Sequence, residues 1–286
     1  ITEGSNSGWR LIGSNPLNYG NIGNQAIDMS YSSNASIIRG ATGDFSIASG
    51  FESIASGEAS VAMGGENVSS NLAATSFGSE NIASGEGSFA AGIQNTASGE
   101  GSISMGEFNN ASGYNAITIG SSNTASANYS TSMGRSTTAS GNTSTAIGDN
   151  STASGNGSLA TGYYTEATGI NTTALGRYTR ALGDYSTAMG HKTSALSSYE
   201  TVVGRWNTSY TPLSIVNWNS ADRLFVVGNG IDATNTSNAL IIYKDGRMNI
   251  NDAYTLPNSD GTLSGQVLTT DAFGNVSWSL PSSGSD

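Results

Sequence analysis

The sequence predicts an all-β fold, a parallel β-solenoid (β-roll) of about twelve short coils. Three observations support this prediction: a repeat of fourteen residues, a period of two within each repeat, and a composition that disfavours helices. The period of two is seen in pieces such as residues 60–64, Ser-Val-Ala-Met-Gly, and is typical of β-strands. Gly, Ser, Thr and Asn are frequent throughout, which disfavours helices. Each coil is therefore expected to contain two short strands and two turns.

Glycines mark the repeat over residues 44–204, with the consensus S-x-A-x-G-x-x-x-x-A-S-G-x-x. Twelve of them follow one another at intervals of fourteen residues, without an insertion or deletion: Gly50, Gly64, Gly78, Gly92, Gly106, Gly120, Gly134, Gly148, Gly162, Gly176, Gly190 and Gly204. Coils of equal length stack so that like positions form columns, and one extra residue would shift every later column. The glycines are therefore predicted to be structural.

The columns predict an interior of small residues and an outer face of larger apolar ones. Ala62, Ala90 and Ala146 belong to the small column. The flanking columns cannot share that interior, because successive side chains of a strand point to opposite faces. They contain Val61, Met63, Phe77, Phe89, Ile103, Met105, Ile117, Ile119, Met133, Ile147, Leu175 and Met189. An exposed apolar stripe of this length would aggregate, so we expect the chain to self-associate along it.

The repeat resembles the heads of YadA-like trimeric autotransporter adhesins, through the S-[VIT]-A-[IM]-G and A-S-G submotifs and their period. The resemblance covers about residues 44–204. It implies a left-handed parallel β-roll with one coil per fourteen residues, and a homotrimer in which three chains pack along their apolar columns.

Residues 1–43 depart from the repeat and are predicted to form an N-terminal cap or tip. A solenoid needs caps because its end coils expose unpaired strand edges. Asn15-Pro16 indicates a turn. The segment resembles the openings of surface proteins of marine Bacteroidetes, and Trp9 and Tyr19 are candidate ligand contacts in it.

Residues 205–280 are predicted to form a β-rich neck or stalk-side segment, and residues 281–286 a linker that precedes an anchor or chaperone domain. Asp245-Gly246 between two apolar runs indicates a tight hairpin, and residues 266–270 and 276–279 indicate a second one around the loop 271–275. The segment resembles stalk-side parts of Bacteroidetes surface fibres and of phage-type tail fibres. The neck and coiled coil usual in YadA-like adhesins are not recognisable, which weakens the prediction of a membrane-anchored autotransporter.

Net charge is −11, which argues against nucleic acid as a partner because binding phosphates needs a basic surface. Eight acids and no base lie between Arg39 and Arg135, so residues 44–107 form either a solvated surface or an acidic face for cations or basic partners. Three acids share one repeat position and could form a cation ladder or a polar outer edge; these low-ranked ligand contacts are Glu58, Glu86 and Glu100. The sequence contains no apolar run long enough to predict insertion into a membrane. We predict no cofactor or metal site.

The sequence predicts no enzymatic activity. A Ser-His-Asp triad would have to use His191, the single histidine, which is expected at an exposed coil position. The acids are scattered over different repeat positions, unlike the converging carboxylates of a polysaccharide hydrolase. Columns of threonine such as Thr131, Thr145 and Thr173 would also suit ice binding, although Ile and Val replace Thr in the same columns.

The sequence therefore predicts an extracellular, cell-surface adhesive head that attaches a cell or particle to a receptor, matrix protein or glycan. Binding would come from repeated weak contacts along equivalent faces of a trimer. The alternative is a receptor-binding tail fibre of a phage or contractile injection system, which would share the same fold.

Overall fold

The computed structural model describes residues 1–257, 259–271 and 275–281. The chain divides into two compact units, Ile1–Ala153 and Ser154–Asp286. Among the described residues the secondary structure is β, apart from one short 3-10 helix, Pro16–Asn18. The predicted all-β, parallel solenoid is confirmed.

In the first unit each repeat contributes one strand of five residues and one of two. The long strands are Ile47–Phe51, Val61–Gly65, Thr75–Ser79, Phe89–Ile93, Ile103–Glu107, Ile117–Ser121, Thr131–Arg135 and Thr145–Asp149. The short strands are Gly40–Ala41, Ile54–Ala55, Val68–Ser69, Ile82–Ala83, Thr96–Ala97, Asn110–Ala111, Thr124–Ala125, Thr138–Ala139 and Thr152–Ala153. Each strand pairs in parallel with the strand one repeat later, as Val61 with Thr75 and Ile82 with Thr96. A step of fourteen residues therefore equals one coil.

The interior of each coil is filled by one small side chain from each of its two strands. Ala62 of a long strand and Ala83 of a short strand are both 0% exposed. Polar side chains in these columns can form hydrogen bonds with one another, as the Ser69 and Ser76 hydroxyls do at 2.7 Å. Small side chains fill most of the space between the two strands, and Thr118 and Val202 are buried at the same position. The predicted small-residue interior is therefore confirmed.

The repeat glycines have a backbone conformation and a close contact with the next coil that exclude a side chain. Gly64 has φ +119, and a Cβ there would lie 2.0 Å from the carbonyl oxygen of Gly78 in the next coil. A side chain would be strained by the backbone conformation and would also collide with the neighbouring coil. The invariance of this column within the sequence follows from both constraints.

The predicted N-terminal cap takes part in the parallel stack. Strands Thr2–Glu3 and Asn6–Ser7 form an antiparallel pair, but Trp9–Arg10 and Ile27–Tyr31 are parallel. Trp9 lies opposite Ile27, and Ile27 opposite Ile47. Two strands therefore extend the stack before the first repeat glycine.

The second unit begins with the same two-strand coil. Its long strands are Leu159–Tyr163, Thr173–Arg177, Thr187–His191 and Thr201–Arg205, and its short strands are Glu166–Ala167, Arg180–Ala181 and Ser194–Ala195. The chain then leaves the stack and returns as Arg223–Asn229, parallel to the last long strand. Antiparallel strands follow: Asn238–Tyr243, Met248–Ile250 and Tyr254–Leu256.

The two predicted hairpins are present. Leu240 pairs with Ile250 around the turn that contains Asp245-Gly246. Val267–Thr270 pairs with Val276–Ser279, although residues 272–274 of the predicted loop lie outside the described residues. Residues 282–286 of the predicted linker also lie outside them.

Candidate functional site

In each of the two units, the outward positions of the long strands form an uncharged face. We use this name for the first and third residues of the twelve long strands between residues 47 and 205. None of these 24 residues is Asp, Glu, Lys, Arg or His. All twelve predicted trimer-core residues belong to it; five are exposed by 37–39%, and these are Phe77, Met105, Ile119, Ile147 and Met189. The other seven are half-buried.

Trp9, a predicted ligand contact, lies in register with the uncharged face. It pairs with Ile27, which pairs with Ile47 at the first position of a long strand. The Trp9 side chain is 62% exposed, and it lines an apolar recess of about 400 Å³ with Ile27 and Met29. The structure thus places Trp9 on an extension of the uncharged face rather than on a separate tip.

Tyr19 is a core residue, so its burial does not support the prediction that it contacts a ligand. Its side chain is 6% exposed. The hydroxyl donates to the Ser30 carbonyl oxygen over 3.1 Å and accepts from the Ser32 amide over 3.0 Å. The guanidinium of Arg10 lies 4.8 Å from the ring centroid and forms a 3.0 Å ion pair with Asp28. Tyr19 therefore helps to close the first end of the coil interior.

Glu58, Glu86 and Glu100 are exposed at one turn of their coils, as the sequence indicates. Leu72 stands in the same column between the first two of them, so their spacing is uneven. Within the described residues, no group of three or more His, Asp or Glu side chains is arranged to hold a metal ion.

At a second turn of the coil, the side chains of the first unit differ in chemistry from those of the second unit. We call it the post-glycine column: the residues two positions after each repeat glycine, all with φ between +47 and +59. In the first unit it begins with three acids, Glu52, Glu66 and Glu80. Glu52 forms a 2.8 Å ion pair with Arg39, and Glu80 accepts a 2.6 Å hydrogen bond from Gln94 in the next coil.

In the second unit the post-glycine column is aromatic and cationic. It contains Tyr164, Tyr178, Lys192 and Trp206 on successive coils. The Tyr164 and Tyr178 rings stack with centroids 5.4 Å apart. The Lys192 ammonium lies 4.1 Å from the Tyr178 ring centroid and 5.4 Å from that of Trp206, which is a cation–π arrangement.

His191 lies in this same region. The sequence predicts an exposed position for it, but its side chain is half-buried. Its ring lies 5.8 Å from that of Trp206 and 6.5 Å from that of Tyr178. Partial burial, and after it the charges of Arg177, Arg205 and Lys192, lower the pKa of His191 from its ordinary value. The surroundings of His191 therefore disfavour its protonated form, first through burial and then through the neighbouring cations.

A ladder of buried asparagines in the first unit was missed by sequence reasoning. Its members stand three residues after successive repeat glycines: Asn67, Asn81, Asn95, Asn109 and Asn123. The Asn81 amide donates to the Asn67 side-chain oxygen at 3.0 Å and to the Gly92 carbonyl at 2.8 Å. The recurrence of Asn every fourteen residues could have revealed the ladder, although it is hard to recognise in a sequence that contains many other asparagines.

A buried carboxylate in the second unit was also missed. Glu200 is 0% exposed and takes the place that Ser186 has one coil earlier. One carboxylate oxygen accepts from the backbone amides of Leu196 and Ser197 at 2.8 and 2.9 Å. Burial raises its pKa above the ordinary value in spite of these hydrogen bonds. Its repeat position was the signal in the sequence, because Glu200 stands at the leading Ser of the consensus whereas the other acids of the repeat stand in outward columns.

In the part of the chain that the structure describes, no helix has the length and apolarity needed to cross a membrane.

Comparison with known protein families supports the family resemblance. The YadA head domain repeat (2 copies) matches residues 41–67, 83–107, 111–137, 139–165 and 167–193. No curated protein sequence matches the chain. The resemblance of the C-terminal segment to Bacteroidetes and phage-type fibres is supported by neither comparison and stays a prediction. YadA-like heads are the surface-exposed heads of adhesins, and the repeat region of this chain is a YadA-like head.

Proposed function

We propose that the chain is the non-enzymatic head of a homotrimeric, extracellular adhesive fibre that attaches a cell or particle to a receptor, matrix protein or glycan. The observation that carries this proposal is the uncharged face. Other outward columns of the long strands contain charges; their last residues, for example, include Glu107, Arg135 and Arg177. In each unit, every long strand between residues 47 and 205 places at least one large apolar side chain and no charge on the uncharged face. Such a surface indicates contact with another chain.

Three copies of the chain would cover their uncharged faces against one another. Large side chains such as Phe77 and Met105 are more than one-third exposed in the single chain, and their burial would contribute roughly 25 cal/mol per Å² of apolar area. The charged columns would then face solvent, because burying an unpaired charge costs several kcal/mol. The ligand-binding surfaces would lie in those charged columns.

A binding function fits the outer columns better than a catalytic one. His191 contacts aromatic rings and lies among cations, and this environment lowers its pKa. Its neighbours are therefore not those that orient a general base in a hydrolytic triad. Repetition of one position on successive coils instead offers many similar weak contacts, which trimerisation multiplies.

Trimer formation is tested by a negative charge placed at one of two positions of the strand Ile117–Ser121. Ile119→Asp puts a carboxylate on the uncharged face, whereas Ser121→Asp, on the same strand, puts one in a column where Arg135 and Asp149 already occur. We expect the wild type and Ser121→Asp to have three times the 29.0 kDa chain mass by light scattering. Ile119→Asp should dissociate while it keeps a β-type circular dichroism spectrum.

A wild-type mass of one chain, or an Ile119→Asp protein that remains trimeric, would contradict the proposed assembly. Adhesion is then measured with beads that carry the intact protein, on extracellular matrix and on glycan-coated surfaces. Absence of retention on every surface, by a protein of trimeric mass, would contradict the adhesive function.

A further inference from the structure

The second unit carries an aromatic and cationic groove. It has a volume of about 360 Å³ and is lined by Tyr164, Tyr178, Lys192 and Trp206 of the post-glycine column, with Glu166 and Arg180 of the short strands. Arg177 and Arg205 stand beside this column at the ends of their long strands. We propose that this groove binds an acidic polysaccharide, one whose sugars carry carboxylate or sulfate groups. This inference rests on the adhesive function proposed above and names its ligand class.

Lys192 and the neighbouring Arg177 lie against aromatic rings rather than beside acids. Arg180 pairs with Glu166 at 2.7 Å, but within the described ranges no carboxylate forms an ion pair with Lys192 or Arg177. The Arg177 guanidinium instead lies 5.2 Å from the Tyr178 ring centroid and 5.4 Å from that of Tyr163. The rings fix the positions of the charges and leave their net charge uncompensated. An anionic ligand would supply the missing counter-charge.

His191 lies beside the groove, with its ring 5.8 Å from that of Trp206. Partial burial lowers the pKa of His191, and the nearby charges of Arg177, Arg205 and Lys192 lower it further. They stand out in a chain with a net charge of −11. The local positive field is therefore a property of this groove and is opposite in sign to the chain as a whole, which makes it selective for anions.

The rings favour a glycan among anionic ligands. Tyr164 is 45% exposed, and the C–H face of a sugar ring packs on an aromatic face, whose charge is partly negative. Successive coils repeat at about 4.8 Å, similar to the length of one sugar residue in an extended chain. A polysaccharide that runs along the stack would meet one ring or cation per coil. Single-stranded nucleic acid is the competing anionic ligand, because its bases could also stack on these rings, and it is therefore included in the test.

Trimer formation would leave the groove accessible. Its charged residues are separated from the uncharged face by the repeat glycines, such as Gly176 between Leu175 and Arg177. Charges at this position would be costly in an apolar interface. Three grooves per trimer would raise the avidity for a long polysaccharide.

The test measures binding of the intact protein to heparin, polygalacturonate and neutral dextran by titration calorimetry, with single-stranded DNA as a further probe. We expect heparin, polygalacturonate or both to bind and dextran not to bind; the two acidic probes separate sulfate from carboxylate as the recognised group. Binding should weaken as salt increases.

Two variants at one repeat position give a matched control. Arg177→Gln and Arg135→Gln each remove one positive charge from the last position of a long strand, in the second and the first unit respectively. Arg177→Gln combined with Lys192→Gln should weaken binding about tenfold or more, the effect of losing charge-assisted contacts, whereas Arg135→Gln should change it less than about twofold. Tyr164→Leu should weaken binding while the net charge stays unchanged.

The inference is overturned if neither acidic glycan binds, or if dextran or single-stranded DNA binds as well as they do. It is also overturned if Arg135→Gln loses as much affinity as the combined Arg177→Gln and Lys192→Gln variant. Light scattering on the same samples separates this failure from that of the proposed function. A trimer that binds no acidic glycan contradicts only the ligand class, whereas a monomer contradicts the assembly.

Discussion

The two units have the same coil but differ in what the coil carries. At the post-glycine column the first unit presents Glu52, Glu66 and Glu80, whereas the second presents Tyr178, Lys192 and Trp206. Backbone conformation at this column is alike in both, with positive φ throughout. The comparison shows that the coil fixes where a side chain is displayed and leaves open which chemistry is displayed there.

The units also differ inside. The column three residues after the repeat glycine contains the ladder of hydrogen-bonded asparagines in the first unit, and it contains Thr179 and Thr193 in the second. The hydroxyls of those two threonines are buried without a hydrogen-bond partner. The same column therefore accepts hydrogen-bonded amides in one unit and hydroxyls without a partner in the other.

The largest expected loss of stability tests whether the two units have the same backbone conformation at the repeat glycine. Gly106→Ala and Gly176→Ala should each destabilise their chains by about 2–5 kcal/mol. At both positions φ exceeds +115, and a Cβ would lie 2.0 and 2.1 Å from the next carbonyl oxygen. Thermal denaturation followed by circular dichroism measures the effect.

Gly65→Ala is the control for these glycine variants, because the nearest atom to its Cβ would be 3.8 Å away and its φ is not in the positive range. It should change stability by less than about 1 kcal/mol. Equal losses for Gly65 and Gly106 would mean that the coil does not impose the constraint described here.

An intermediate effect should separate the two interiors. Asn95→Ala removes donor bonds to the Ala91 and Gly106 carbonyls, at 3.0 and 2.7 Å, and leaves buried groups without partners. We expect a loss of about 2–4 kcal/mol in the first unit. Thr179→Val in the second unit should be neutral or stabilising, because it replaces a buried hydroxyl that has no partner with a methyl of similar shape.

Chemical denaturation of the two variants measures this difference. A Thr179→Val protein that loses as much stability as Asn95→Ala would show that the threonine hydroxyl makes a bond in solution. The contrast between the two interiors would then not hold.

The smallest expected effect concerns pH. Glu200 has a pKa raised from 4.5 by burial, so the folded state holds its proton more tightly than the unfolded state does. Stability from this group is therefore fully present below pH 4.5 and is lost as the pH rises through the folded pKa. Glu200→Gln should remove this dependence: it should match the wild type in acid and be slightly more stable near pH 7.5.

Thermal midpoints of wild type and Glu200→Gln from pH 4 to pH 7.5 measure the effect of Glu200. Glu166→Gln is the control, since that carboxylate is on the surface and pairs with Arg180. A gap between wild type and Glu200→Gln that widens in acid would contradict the predicted sign.

The coil could be predicted in detail because the repeat imposes strong physical constraints. One glycine every fourteen residues, a small residue two positions before it and a period of two are sufficient to place both strands of a coil and its interior. The hairpin at Asp245-Gly246 was predictable for a similar reason, because few residues suit such a tight turn. The extra strands Trp9–Arg10 and Ile27–Tyr31 were not, since they lack the repeat glycine.

The candidate site could be predicted only in part. Glu58 and Glu100 were recognised as exposed because they follow a turn glycine, whereas the groove of Tyr178, Lys192 and Trp206 requires three coils to be stacked before its members meet. Tyr19 and Trp9 illustrate a different limit of the sequence. An aromatic residue outside the repeat gives no sign of whether it is buried, as Tyr19 is, or placed on the uncharged face, as Trp9 is.

The sequence by itself determined the parallel coil, its length, the small interior and the need to cover an apolar face, because each of these follows from residues repeated at a fixed interval. Only the tertiary structure decided which contacts the side chains of neighbouring coils make with one another. The cation–π contacts of Lys192, the asparagine ladder and the buried Glu200 all join residues on separate coils or loops. Such contacts depend on distances in space, which periodicity along the chain does not specify.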